Sequence, residues 1–112
     1  MDEFYSYISS YVEEHLAEHI TVKEMAHTVH LQPGYFIQRF RKSFHTTPIH
    51  YVNQMRLEST IPYLVQEPEE RLEEIAWRAG FRDYRHFSRL FKKRYDMAPS
   101  AYRRKLREQA KE

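Results

Sequence analysis

Hydrophobic residues recur at three- and four-residue steps along almost the whole chain. Over residues 3–18, Phe4, Tyr7, Ile8, Tyr11, Val12 and Leu16 trace one face of an amphipathic helix, with Asp2 placed as its N-cap. Thr21 opens a second, short helix in capping-box form, Thr-Val-Lys-Glu, which should stop near Val29. Pro33 suits the first turn of a third helix, 33–44, buried through Phe36, Phe40 and Phe44 with Tyr35 or Ile37 alongside. Pro48 opens a fourth, capped by Thr47, which runs through Tyr51, Val52, Met55 and Leu57 toward Leu64. Residues 66–69, Gln-Glu-Pro-Glu, connect it to a fifth helix from about Glu70 to Arg78, and Gly80 supplies a terminus able to take positive φ. Asp83 caps a sixth helix, 84–95, buried through Phe87, Leu90, Phe91 and Tyr95, and Pro99 or Ser100 starts a last one with a basic, fraying tail. No stretch alternates at period two for long enough to make a strand. The pattern predicts an all-α chain of seven helices.

The helices come in two similar sets. Residues 25–51, MAHTVHLQPGYFIQRFRKSFHTTPIHY, return as residues 75–102, IAWRAGFRDYRHFSRLFKKRYDMAPSAY. Ala26, Val29 and Leu31 match Ala76, Ala79 and Phe81 at offset 50. Phe36, Phe40, Phe44, Pro48 and Tyr51 match Phe87, Phe91, Tyr95, Pro99 and Tyr102 at offset 51, so the second copy has one extra residue near its turn. Each copy offers a short apolar helix, a tight turn, and a second helix with phenylalanines on one side and polar residues on the other. That is the requirement of a helix-turn-helix unit.

Composition narrows the chemistry. The 112 residues suit one compact domain or two very small ones, and a repeat of about fifty residues is marginal unless a shared helix supports it. There is no cysteine, which excludes disulfides, thiol catalysis and Cys-based zinc sites. No apolar run approaches the roughly 20 residues of a membrane span, and the acidic N-terminus is unlike a signal peptide. Net charge is only +2, but it is unevenly placed. Residues 1–32 hold six acids and one base, Lys23, residues 66–80 hold five acids and two bases, and residues 81–107 hold ten Lys/Arg against two Asp. Positive charge therefore sits on the second half of each repeat, the footprint of a nucleic-acid face.

With these elements placed, the chain resembles the DNA-binding domain of AraC/XylS-type bacterial transcription regulators, from about Tyr7 to Arg104. The resemblance is most specific at Ile75-Ala76, Gly80-Phe81, Phe87 to Lys92 and Pro99 to Arg103. It implies a single domain, 1–112, with helix-turn-helix units at 3–47 and 67–107, homeodomain-like in build, joined by a linker helix at 48–66. It implies that the second helices of the two units enter successive major grooves about 34 Å apart. By matched position, Gly34, Ile37, Gln38 and Arg41 of the first reading helix and Arg85, His86, Ser88 and Arg89 of the second would meet base edges. Lys42, Lys92, Lys93, Arg103 and Arg104 would meet phosphates. Arginine in such a position reads guanine and glutamine reads adenine. The resemblance further implies a cytoplasmic, nucleoid-associated regulator that more often activates than represses, contact with RNA polymerase, and in many members a separate N-terminal effector-binding or dimerising domain.

Four positions depart from the family pattern. His30 replaces the turn glycine that the second copy keeps as Gly80; Gln38 stands where arginine is frequent; His45 and Asp96 replace the glycines that end the reading helices. Pro62 falls inside the linker, where it costs roughly 3 kcal/mol in a straight helix, and a kink or early end near Ile61 is the expectation.

Other constellations point less far. His15 and His19 share a helix face, but their order is not that of a zinc-binding His-Glu-x-x-His motif and no third ligand is evident. His27 and His30 read as surface residues, and Trp77 as partly buried packing. No nucleophile–base pair, phosphate-cradling glycine loop or cofactor motif is present, so the chain reads as a non-enzyme that needs no cofactor. Two further readings stand beside the DNA-binding one: a protein-interaction module using the aromatic first helix (Tyr5, Tyr7, Tyr11), and a C-terminal fragment of a longer effector-responsive regulator.

Overall fold

A computed structural model describes residues 2–111 and contains seven α-helices and no strands among them. They are α1 (Glu3–Glu14), α2 (Val22–Thr28), α3 (Pro33–Phe44), α4 (Pro48–Gln66), α5 (Leu72–Arg78), α6 (Tyr84–Tyr95) and α7 (Pro99–Ala110). Helix α1 ends four residues earlier than its apolar pattern suggests, at a His15 cap whose N–H bonds the Tyr11 carbonyl. Helix α5 begins at Leu72 rather than Glu70, and α7 stays helical to Ala110 rather than fraying. No helix of the described residues is long and apolar enough to cross a membrane.

Polar side chains start the helices where the sequence places them. Asp2 accepts from the Tyr5 N–H at 2.7 Å, Thr21 from Glu24 at 3.0 Å, Thr47 from His50 at 3.2 Å and Asp83 from Arg85 at 2.9 Å. Each satisfies a helical N–H that has no partner within its own helix.

The chain divides into two compact units, one up to Met55 and the other from Arg56. In the first, Ile8, Val12, Met25, Ala26, Phe36, Phe40 and Val52 form a buried core. In the second, the core is Leu57, Leu64, Ile75, Ala76, Ala79, Phe81, Phe87 and Phe91. Helix α4 thus supplies Val52 to one core and Leu57 and Leu64 to the other.

The sequence repeat is a repeat of contacts. Tyr51 meets Phe40 edge to face with centroids 5.7 Å apart, and Tyr102 meets Phe91 in the same way at 5.4 Å. The turns match as well. Leu31 N–H bonds the Ala26 carbonyl and His30 N–H that of His27; Phe81 N–H bonds Ala76 and Gly80 N–H bonds Trp77. This pair of bonds is a Schellman closure, which needs a left-handed residue between helix and exit. His30 takes it at φ 59° and Gly80 at φ 105°. His45 and Asp96, which replace the glycines of the family pattern, also adopt left-handed φ, 60° and 64°, where they end α3 and α6.

Of the two outcomes expected at Pro62, a kink or an early end, the early end does not occur: helix α4 continues through Pro62 to Gln66. Proline has no N–H for the Glu58 carbonyl, but the preceding turn carries extra bonds: Ser59 Oγ donates to the Arg56 carbonyl at 2.7 Å and Thr60 Oγ1 to that of Leu57 at 2.6 Å. Leu57 and Leu64, seven residues apart on one face, are both buried. Burial of about 1.5–3 kcal/mol for each leucine outweighs the lost bond. Pro62 is itself exposed, so Pro62→Ala should restore the bond and raise stability by about 1–2 kcal/mol, read as a higher midpoint in urea denaturation.

Asp2 also joins α1 to α3. Its carboxylate accepts from Arg39 at 3.2 Å and from Ser43 Oγ at 3.1 Å. The Tyr5 amide bond holds its pKa below the ordinary value, opposed by desolvation and assisted by the hydrogen bonds from Arg39 and Ser43. A lowered folded-state pKa contributes stability that is present above the unfolded-state value and is lost as pH falls through the folded one. The stability gap between wild type and Asp2→Asn should therefore be full near neutrality and close on the acid side, in melts collected from pH 7 to pH 2.

Candidate nucleic-acid interface

The reading helices α3 and α6 contain no acidic residue. Each buries two phenylalanines completely, Phe36 and Phe40 in α3 and Phe87 and Phe91 in α6. Those anchors fix which side faces out.

In the first unit, Gly34, Ile37, Gln38, Arg41 and Lys42 are all exposed on α3. Gly34, Ile37, Gln38 and Arg41 fall at steps of three and four, so they form one stripe along the helix. Arg39 is turned aside: it is paired with Asp2, bonded to Ser43 Oγ, and lies over the Phe4 ring at 4.6 Å. In the second unit, Arg85, Arg89, Lys92 and Lys93 are exposed on α6, whereas His86 and Ser88 are half-buried. The His86 ring stands edge-on to Phe81 at 6.2 Å. Asp83 ties the start of this helix to the turn through the Arg85 and His86 amides. Lys92, Lys93 and Arg94 occupy the last turn, where the helix dipole favours positive charge, and Arg94 is paired with Glu58 at 3.1 Å.

Of the residues expected on phosphates, Lys42, Lys92, Lys93 and Arg104 are exposed. Arg103 has a different role. Its Nε donates to the Leu64 carbonyl at 3.2 Å and its Nη2 to the Glu67 carbonyl at 3.3 Å, capping the end of α4. Burial, then the neighbouring Arg107, lowers its pKa from the ordinary arginine value. Arg107 in turn donates to the Pro68 carbonyl, and Arg78 pairs with Glu67 and with Glu70 at 3.5 Å. Three arginines thus brace the acidic connector.

Three side chains are more exposed than the apolar pattern suggests. Trp77 is 55% exposed and carries Arg82 over its ring at 4.0 Å, so it is not core packing. Tyr35 is 70% exposed rather than alongside the buried stripe, and Ile37 is 37% exposed. The signal for Tyr35 is in the repeat: at offset 51 it matches His86, already placed on the reading helix. Among the described residues no group of three metal-ligating side chains is brought together.

A family described as "Helix-turn-helix domain" matches residues 25–105, spanning both units. The chain belongs to the AraC/XylS-type helix-turn-helix family of DNA-binding domains. It is 33% identical over 91% of its length to an uncharacterized HTH-type transcriptional regulator, YobQ, of Bacillus subtilis, of which it covers 42%. It is 31% identical over 80% of its length to the HTH-type transcriptional activator RhaS of Klebsiella pneumoniae, of which it covers 32%. The chain therefore spans less than half the length of either relative. Among solved structures, it matches the C-terminal domain of the two-component response regulator yesN of Fusobacterium nucleatum with a TM-score of 0.84 at 29% identity, covering 91% of this chain and 99% of that one.

The division between exposed and bracing bases is directly measurable. Lys92→Ala should leave the thermal midpoint unchanged and lower the slope of log binding constant against log salt by about one. Arg103→Ala should lower stability by about 1–3 kcal/mol, because it exposes two carbonyls at a helix end without their donor, with little change in that slope.

Proposed function

We propose that this chain is the DNA-reading part of a bacterial transcription regulator, acting in the cytoplasm on double-stranded DNA and more often activating than repressing. It would do so by binding alone, through α3 and α6, with no chemical step. The observation that carries this reading is the pair of acid-free helices whose outward faces hold Gln38 and Arg41 in one unit and Arg85 and Arg89 in the other. Family membership supports it, and the activating sign is supported by the likeness to RhaS. Gly34, Ile37, Gln38, Arg41, Arg85, His86, Ser88 and Arg89 are proposed for base edges, and Lys42, Lys92, Lys93 and Arg104 for phosphates. The half-burial of His86 and Ser88 leaves Arg85 and Arg89 as the principal readers of the second unit. Contact with RNA polymerase is proposed as the route to activation.

Selection from a random pool of ~30-base-pair duplexes tests the reading. Enrichment of a bipartite site is expected, and Arg89→Ala should erase selectivity in one half while costing about 1–3 kcal/mol on the parent site. Failure to enrich any sequence at low salt would count against sequence-specific DNA binding.

A further inference from the structure

The two reading helices share a register but not a chemistry. At offset 51, Gly34 matches Arg85, Ile37 matches Ser88 and Gln38 matches Arg89. The second unit therefore offers exposed guanidiniums at the two places where the first offers a glycine and a carboxamide. Guanidinium forks suit the O6 and N7 acceptors of guanine. The early turns of α3 hold nothing comparable: Arg39, the only arginine before Arg41, is drawn away to Asp2, Ser43 and the Phe4 ring.

What α3 does present is specific. The Gln38 carboxamide has one acceptor and two donors, the complement of the adenine N6 and N7 edge. One residue earlier, Ile37 remains 37% exposed on the same polar face, and a β-branched side chain there is stiff. The apolar group on the major-groove edges of the base pairs is the C5-methyl of thymine. Gly34, one turn before, faces open space, with no atom within 4 Å of where a side chain would begin, so a base edge can approach the helix closely.

From this we infer that the early turns of α3 in the first unit read A·T pairs, Gln38 hydrogen-bonding an adenine and Ile37 packing on a thymine methyl, while Arg85 and Arg89 in the second unit read guanine. Arg41, later on α3, makes a separate contact. The bipartite target is chemically asymmetric, and the two units are not interchangeable along it. This inference rests on the DNA-binding reading above.

Modified duplexes test it atom by atom. In a selected site, the half that keeps its selectivity in Arg89→Ala is assigned to the first unit, and A·T pairs are expected there. Replacing each of its thymines singly by deoxyuridine removes one methyl and nothing else. At one position this should weaken wild-type binding about 4-fold, the value of burying one methyl-sized group. Ile37→Ala should weaken binding to the thymine duplex by a similar factor and be indifferent to the deoxyuridine exchange. Replacing adenine by 7-deazaadenine should cost on the order of 10-fold in wild type and nothing further in Gln38→Ala. Both side chains are exposed, so helical content by circular dichroism should match wild type and exclude a folding defect. Enrichment of G·C throughout the first half-site with no A·T position, wild-type indifference to every deoxyuridine exchange, or equal sensitivity of Ile37→Ala to that exchange would each overturn the inference. Enrichment of the Arg89-dependent half alone would overturn it while leaving DNA binding in place. No enrichment of any sequence would remove both.

Discussion

The structure depends on how a short buried helix is brought to a stop. The carbonyls ending α2 and α5 have no partner within their own helices, and the chain must turn at once to lay the next helix across them. The Schellman closure solves both problems, provided one residue takes a left-handed φ. Leu31 and Phe81, immediately after it, then point back toward the core, Phe81 fully buried and Leu31 packed at its edge. With the turn closed, the phenylalanines of α3 and α6 have one side on which to be buried, and the opposite side is committed to solvent. His30 therefore closes its turn at a backbone cost of roughly 1–2 kcal/mol that Gly80 avoids in the other. The small Ala26 and Ala76 are buried just before the turns.

Charge is sorted by the same packing. Several acids accept bonds from amides and guanidiniums: the caps Asp2 from Tyr5 and Arg39 and Asp83 from Arg85 and His86, and Glu58, within α4, from Arg94. Such exposed pairs are individually weak, so they do not account for stability. Their effect is selection. Arg39, Arg78, Arg94, Arg103 and Arg107 are drawn to partners on the protein, while Arg85, Arg89, Lys92 and Lys93 stand exposed on a helix without acids. A nearly neutral chain can in this way present a strongly positive face to a polyanion.

The two units keep one set of internal contacts and diverge outside them. Phe40 with Tyr51 repeats Phe91 with Tyr102 almost unchanged, because the core tolerates little variation in volume. The outward positions carry no such constraint, so Gly34 and Gln38 stand opposite Arg85 and Arg89 in the repeat.

The order and type of the helices, four of their caps, the repeat and the positive φ at Gly80 were all legible along the chain, because each is a local preference or is spaced by the helical period. The identity of the buried phenylalanines follows from that same period. Three things came only with the folded chain. Helix α4 runs through Pro62 because Leu57 and Leu64 are buried on either side of it, a gain local propensity does not register. Tyr35 and Trp77 are exposed because an apolar residue at the margin of a helical stripe has its burial decided by the neighbour it meets, not by its own hydrophobicity. Arg103 braces a carbonyl 39 residues away instead of facing solvent, since a long guanidinium side chain can reach any acceptor that tertiary packing leaves open. Helical period determines the side of a helix on which a residue lies; only the packed chain decides what stands opposite it.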